Sequence, residues 1–203
     1  MSVPPLLAIL AGPSGSGKST LCNRLVDAQL GYKRVVTTTT RPPRDQEVNG
    51  VDYHFFSSAE FTRRVDAGEF LEWAWVHGLP TEQSERRYGT LKSSVLDPLR
   101  QGQDLVMSID VQGVANVRRM AATDSLLRRS LVTIFILVDH SRLMARMRDR
   151  GQDNEAEIER RMKTAEEEIK AAQQFDYVIE SKTRDEDFAA LLSILDQARK
   201  KAS

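Results

Sequence analysis

The run Gly12-Pro13-Ser14-Gly15-Ser16-Gly17-Lys18-Ser19-Thr20 fits G-x-x-x-x-G-K-S/T, the pattern of a phosphate loop. The chemistry on offer is phosphate capture. Backbone N–H groups surround the anion, the Lys18 ammonium reaches the β- and γ-phosphates, and the Ser19 hydroxyl is a ligand for Mg2+. The candidate ATP-binding set is therefore Gly12, Ser14, Gly15, Ser16, Gly17, Lys18, Ser19 and Thr20. A glycine-rich turn with an incidental lysine is the competing reading, and the flanks decide against it. Leu6–Ala11 is an apolar run of strand length, and Leu21, Leu25 and Val26 recur at helical spacing, so the loop joins a strand to a helix. A second set is cationic. Arg146 and Arg150 share a helix face, and Arg161 returns from the following helix. Three guanidinium groups brought together repel unless an anion neutralises them. Beside a phosphate loop, the expected anion is a phosphoryl group in transfer.

Positioning such groups takes a parallel sheet. Strand-like runs at Leu6–Ala11, Lys33–Val36, Asp104–Asp110, Leu131–Val138 and Tyr177–Glu180 alternate with helical stretches, which predicts an α/β P-loop fold, a parallel sheet with helices on both faces. Leu131–Val138 is apolar on both faces, as a strand covered on both sides must be. Residues 37–93 break the rhythm. They hold Arg41-Pro42-Pro43-Arg44, the strand-like Tyr53–Phe56, a helix opened by the capping box Ser57-x-x-Glu60, and the strand-like Phe70–Val76. The expected division is one domain over 1–203: a core over about 1–36, 94–138 and 175–203, an inserted subdomain over about 37–93, and a lid over about 139–174. The lid reads as a helix, a break at Gly151, and a charged helix from about Asn154 to Gln174. Glu166-Glu167-Glu168 and Arg160-Arg161 in that helix read as a solvated face with i,i+4 pairs.

Composition bounds the partners. The 203 residues carry 29 Lys+Arg against 29 Asp+Glu, so no global field draws the chain to nucleic acid or to an anionic membrane. No run approaches membrane-spanning length, and Met1–Pro5 lacks a signal-peptide pattern, so a cytoplasmic location is expected. The single cysteine, Cys22, cannot form an internal disulfide and reads as a buried apolar side chain in a reducing compartment. His54, His77 and His140 are scattered and form no metal set.

Further stretches carry a family resemblance. Thr37-Thr38-Thr39-Thr40-Arg41-Pro42-Pro43-Arg44 followed by Glu47-Val48-Asn49-Gly50-Val51-Asp52-Tyr53-His54-Phe55 resembles the signature of the guanylate kinases, the ATP:GMP phosphotransferases. Glu69–Ala74, Tyr88-Gly89-Thr90, Ile109–Gly113, Arg150-Gly151 and Ile158–Met162 follow in the family's order. The resemblance implies a magnesium-dependent enzyme of purine metabolism that passes the γ-phosphate of ATP to GMP, with dGMP as a second acceptor. It places the GMP phosphate on Arg41, Arg44, Tyr53 and Tyr88. It places the guanine on Glu72, Thr37, Thr90 and Asp110, and the catalytic charge on Lys18, Arg41, Arg146, Arg150 and Arg161. The assignments make chemical sense. An arginine fork matches phosphate oxygens. A carboxylate accepts from guanine N1–H and N2–H2, which adenine cannot offer.

Three positions depart from the pattern. A polar, proline-bearing stretch, 79–87, follows His77-Gly78 and reads as a surface loop or a lengthened flap over GMP. Ser108 stands where the family commonly has an acid, and Ser181 where it has an asparagine near the adenine pocket. Three other readings stay open: a protein-binding module of the same fold, a relative phosphorylating a sugar phosphate, and a generic ATPase. The intact Lys18 and Ser19 weigh against the module, and Glu72 has a partner in guanine and none in a sugar.

Overall fold

The computed structural model describes residues 3–75, 86–149 and 155–202. Its centre is a parallel sheet of five strands. They are β1 (Leu7–Ala11), β2 (Tyr32–Arg34), β7 (Asp104–Ser108), β8 (Leu131–Leu137) and β9 (Tyr177–Glu180), in spatial order β2-β7-β1-β8-β9. The five expected strands are these five, with ends shifted by a residue or two. Residues of β1 point alternately to two cores, as the period of a strand requires. Leu6, Ala8 and Leu10 pack with α1 (Lys18–Asp27) and α8 (Arg184–Ala202), and with Leu143 and Met147 of α6 (His140–Asp149). Leu7, Ile9 and Ala11 pack with α3 (Lys92–Arg100), α4 (Val111–Thr123) and α5 (Ser125–Ser130) on the opposite face. The register places Leu10 beside Ser108 and Ala11 beside Phe135, so β1 and β7 end within a residue of each other and β8 runs two residues further. Ligands bind at the carboxyl ends of strands in such sheets, and the phosphate loop leaves β1 there.

A second sheet lies in residues 37–91. It contains β3 (Thr37–Thr39), β4 (Tyr53–Phe55), β5 (Phe70–Trp75) and β6 (Arg87–Leu91), in the order β4-β3-β6-β5, with only β3 and β4 parallel. The helix α2 (Ser58–Asp66) covers it and begins where the capping box predicts, the Ser57 Oγ accepting from the Glu60 N–H at 3.1 Å. This sheet has its own small core of Phe61, Phe70 and Leu91, with the two phenylalanine rings stacked 4.4 Å apart. The segment expected to be a lid folds as α6 and α7 (Glu155–Lys170), with a 3-10 turn over Ala172–Gln174. Ile158, Met162 and Ala165 seat α7 on the main core. Among the described residues, no helix is long and apolar enough to cross a membrane.

Two segments differ from what the sequence predicts. Residue 87 is not loop: Arg87 opens β6, is buried, and donates to the Thr62 hydroxyl and the Ser58 carbonyl, with its charge over the Phe61 and Trp75 rings. Residues 79–85 of that stretch lie outside the described residues. Glu168 is not part of a solvated face. It is half-buried, and burial, opposed by the Lys18 charge and aided by that of Asp110, pushes its carboxyl up to about 7.

Candidate active site

The phosphate loop folds as its glycines dictate. Gly12 has φ +136°, and a Cβ there would stand 2.5 Å from the Ile136 carbonyl oxygen, so the chain can leave β1 at this angle only as glycine. Gly17, also left-handed, precedes the first turn of α1 and turns the open N–H groups of that helix into the loop. Lys18 begins α1 and folds back across the loop, donating to the Gly12 carbonyl at 2.6 Å and the Pro13 carbonyl at 2.9 Å. Ser19 and Thr20 are exposed beside it, and Ser16 is buried.

Two of the three lid arginines reach this loop from separate helices. Arg146 of α6 stands 3.4 Å from the Ser16 carbonyl oxygen, and Arg161 of α7 lies 3.4 Å from the Ser14 hydroxyl. The expected convergence of Arg146 and Arg161 is thus present around one loop. Arg150 lies outside the described residues.

The second sheet gathers the residues expected to hold an acceptor. Thr39 pairs with Tyr88 across β3 and β6, and Ala74 pairs with Tyr88 across β5 and β6, which sets Tyr88 in the middle of the sheet. Arg41, just past β3, is only 6% exposed and donates through Nε to the Tyr88 hydroxyl at 3.1 Å. The Tyr53 and Tyr88 rings meet edge to face at 5.8 Å, and the Arg41 charge stands 5.1 Å from the Tyr53 ring centre. Burial pushes the Tyr53 phenol up, so it remains a hydrogen-bond donor near neutral pH. Arg41, Tyr53 and Tyr88 therefore form one cluster. The Arg44 side chain is exposed at its edge.

Glu72 lies opposite Thr90 on the neighbouring strand, and the Thr90 hydroxyl donates to Glu72 Oε1 at 2.5 Å. The other oxygen faces the start of α4, where a Cβ on Gly113 would sit 3.2 Å from it. Burial drives the Glu72 carboxyl up to about 7; Thr90 opposes the rise and the Asp110 charge adds to it. Asp110 itself caps α4, its Oδ1 accepting from the Gly113 N–H at 2.6 Å, so its first duty is structural. Thr37 is half-buried on β3 in the same sheet. A buried carboxylate flanked by a hydroxyl is suited to a partner that presents paired N–H donors.

Sequence reasoning missed four contributors. Glu47 grips Arg41 with both oxygens at 2.6 Å and also accepts from the Arg44 N–H at 2.7 Å. Those bonds hold the Glu47 carboxyl down to about 2. Its place within the quoted signature was the one signal available. Glu168 was hidden in a run of three glutamates. Arg142 and Asp187, which both hold Ser181, carry no local signal because their partners lie 39 and 6 residues away in different elements.

The guanylate kinase family model matches residues 5–198. A guanylate kinase of Polaromonas sp. is 38% identical over 180 residues, which is 88% of this chain and 81% of the relative. One from Maricaulis maris is 40% identical over 193 residues, covering 95% of this chain and 81% of the relative. The crystal structure of guanylate kinase from Anaplasma phagocytophilum superposes with a TM-score of 0.73 at 27% identity, over 98% of this chain and 88% of that one.

Proposed function

Because the chain belongs to the guanylate kinase family, and so phosphorylates GMP with ATP, we propose a division of labour among the residues of its cleft. The core over about 1–36, 94–138 and 175–203 carries the donor site, residues 37–93 the acceptor site, and 139–174 the lid. The observation that carries the reading is the pairing of a phosphate loop with the Glu72–Thr90 pocket. That pocket offers an acceptor-only group to a guanine edge.

Gly12, Ser14, Gly15, Ser16, Gly17, Lys18, Ser19 and Thr20 hold the ATP phosphates. Loop N–H groups take the oxygens, and Lys18 exchanges its two carbonyl partners for the β- and γ-phosphates. Arg41, Arg44, Tyr53 and Tyr88 hold the GMP phosphate. Glu72, Thr90, Thr37 and Asp110 surround its base. Guanine N1–H and N2–H2 both donate to Glu72, which must therefore be ionised, and the paired donors pull its elevated carboxyl back to the charged form. The two sites hold the phosphates for in-line attack, so the cost of bringing them together is met by binding. Arg146 and Arg161, with Arg150 and with Arg41 from the acceptor side, offset charge on the transferring group.

Magnesium fits this donor set. Ser19 offers a hard hydroxyl oxygen on the first turn of α1, and Mg2+ takes few protein ligands when substrate phosphates complete its shell. When bound it supplies charge neutralisation at the β- and γ-phosphate oxygens. The buried thiol of Cys22 supports a reducing, cytoplasmic setting.

The test is an ADP-release assay with magnesium and ATP, comparing GMP with AMP, UMP, CMP and no acceptor. Turnover with GMP alone is expected. Equal turnover with AMP would overturn the assignment of Glu72 to guanine.

A further inference from the structure

Ser181 follows the last residue of β9 and is buried, and each of its oxygens is committed. Its backbone carbonyl accepts from Arg142 Nη1 at 3.0 Å. Its hydroxyl donates to Asp187 Oδ2 at 2.7 Å, and Arg146 Nη2 stands 3.3 Å from the same hydroxyl oxygen. Arg142 and Arg146 are one turn apart on α6, so one helix face is tied to one serine through two different oxygens. Asp187, in the first turn of α8, is only 7% exposed, and its other oxygen accepts from the Lys182 N–H at 2.7 Å.

The donor count gives this arrangement a direction. Both partners of the Asp187 carboxylate are donors, so an acceptor-only group satisfies both at once. A serine hydroxyl has one proton. With that proton given to Asp187, Ser181 meets Arg146 with lone pairs alone. Arg146 is then stretched from Ser181 to the Ser16 carbonyl, its charge held on the rim of the phosphate loop by a group outside that loop.

We propose that Asp187 and Ser181 are positioning residues that act through Arg146. Asp187 orients the Ser181 hydroxyl, and Ser181 aims the guanidinium over the phosphate loop before ATP arrives. A long, flexible side chain aligned in advance need not be ordered during the reaction, and that gain appears in turnover, not in substrate affinity. The proposal rests on the reading of Arg146 as a charge-offsetting arginine.

A double-mutant cycle tests it. Ser181→Ala removes the hydroxyl and leaves the carbonyl bond to Arg142, so α6 stays docked. In the parent background kcat is expected to fall about tenfold, with KM for GMP within about twofold of the parent. In an Arg146→Ala background the same change is expected to alter kcat by less than about twofold, because the group it serves is gone. An equal loss in both backgrounds, or no loss in the parent, overturns the proposal. Asp187→Asn is the independent check, since one amide oxygen cannot accept from both the Ser181 hydroxyl and the Lys182 N–H. It should show the same turnover loss and the same non-additivity, and parental turnover from it also overturns the proposal. Thermal melts establish that each variant is folded. Arg146→Ala with parental turnover would instead overturn the underlying role of Arg146, an outcome read separately from the Ser181 comparison.

Discussion

Arg41 and Glu47 form a two-pronged pair, each terminal guanidinium nitrogen 2.6 Å from its own carboxylate oxygen, on the rim of the acceptor cluster. Nε is held at the same time by the Tyr88 hydroxyl, and Nη1 also donates to the Pro42 carbonyl at 2.9 Å. The plane of the fork is therefore fixed on three sides. Glu47→Ala should free the fork and raise KM for GMP about tenfold, the worth of one charge-assisted hydrogen bond, while KM for ATP stays near the parent value. Initial rates with each substrate varied in turn check this. A rise in KM for ATP of the same size would contradict it.

The raised carboxyl of Glu72 gives GMP binding a pH signature. Below about 7 the group is largely protonated and meets the guanine donors with a donor of its own. KM for GMP should fall as pH rises from 6 to 8, and Glu72→Gln should abolish the trend while weakening binding. The competing ionisation of GMP phosphate near pH 6 is controlled by running the two proteins side by side.

The same shift has a cost in stability. The folded-state value, about 7, lies above the unfolded value of 4.5, so this group's contribution is complete below about pH 4.5 and is lost as pH rises through 7. Glu72→Gln should therefore be more stable than the parent at pH 8 by about 3 kcal/mol, with a small gap at pH 5. Urea unfolding at the two pH values measures it, and a gap independent of pH would refute the burial argument.

The sheet that holds these groups depends on one glycine. A Cβ on Gly89 would sit 2.8 Å from the Phe70 ring and 2.9 Å from the Glu72 carbonyl oxygen, so strand or ring must move. Gly89→Ala should cost about 2 kcal/mol and lower Tm by roughly 4–8 °C. Because Gly89 lies between Tyr88 and Thr90, KM for GMP should rise as well, and calorimetry with kinetics on one preparation would show both.

Lys18→Ala should lower kcat by about 10² or more while leaving the urea midpoint near that of the parent, since its ammonium is half-buried and donates to the Gly12 and Pro13 carbonyls of the loop. Single-turnover rates at saturating substrates make the comparison. Near-parental turnover would remove Lys18 from the chemistry.

Much of this was readable from the chain, for identifiable reasons. Leu131–Leu137 is buried on both faces and so announces itself as a central strand, and the phosphate loop is a local pattern whose residues act together. The strand Thr37–Thr39 was hidden because its residues are polar; tertiary bonds such as Thr38 Oγ1 to the Gly89 carbonyl satisfy them when buried. Arg87–Leu91 was hidden because a charged residue opens it and a glycine interrupts it. At the site, the residues proposed to meet phosphate and base were legible by type and spacing. The acids that hold or flank them were not. Glu47 and Asp187 act through other side chains, and Glu168 differs from its two glutamate neighbours only in which way α7 turns it.

Cys22 is the chain's single thiol, almost wholly buried on the core side of α1, and burial pushes it up to about 12. A thiol that stays protonated and covered is inert to alkylating reagents at neutral pH. The native protein is thus already a blank background for site-directed labelling. Val51→Cys in the acceptor region and Lys163→Cys on α7, both exposed positions, can carry a dye pair without removal of the natural cysteine. The separation of the acceptor sheet and the lid helix then becomes an optical quantity, followed in real time as each nucleotide is added.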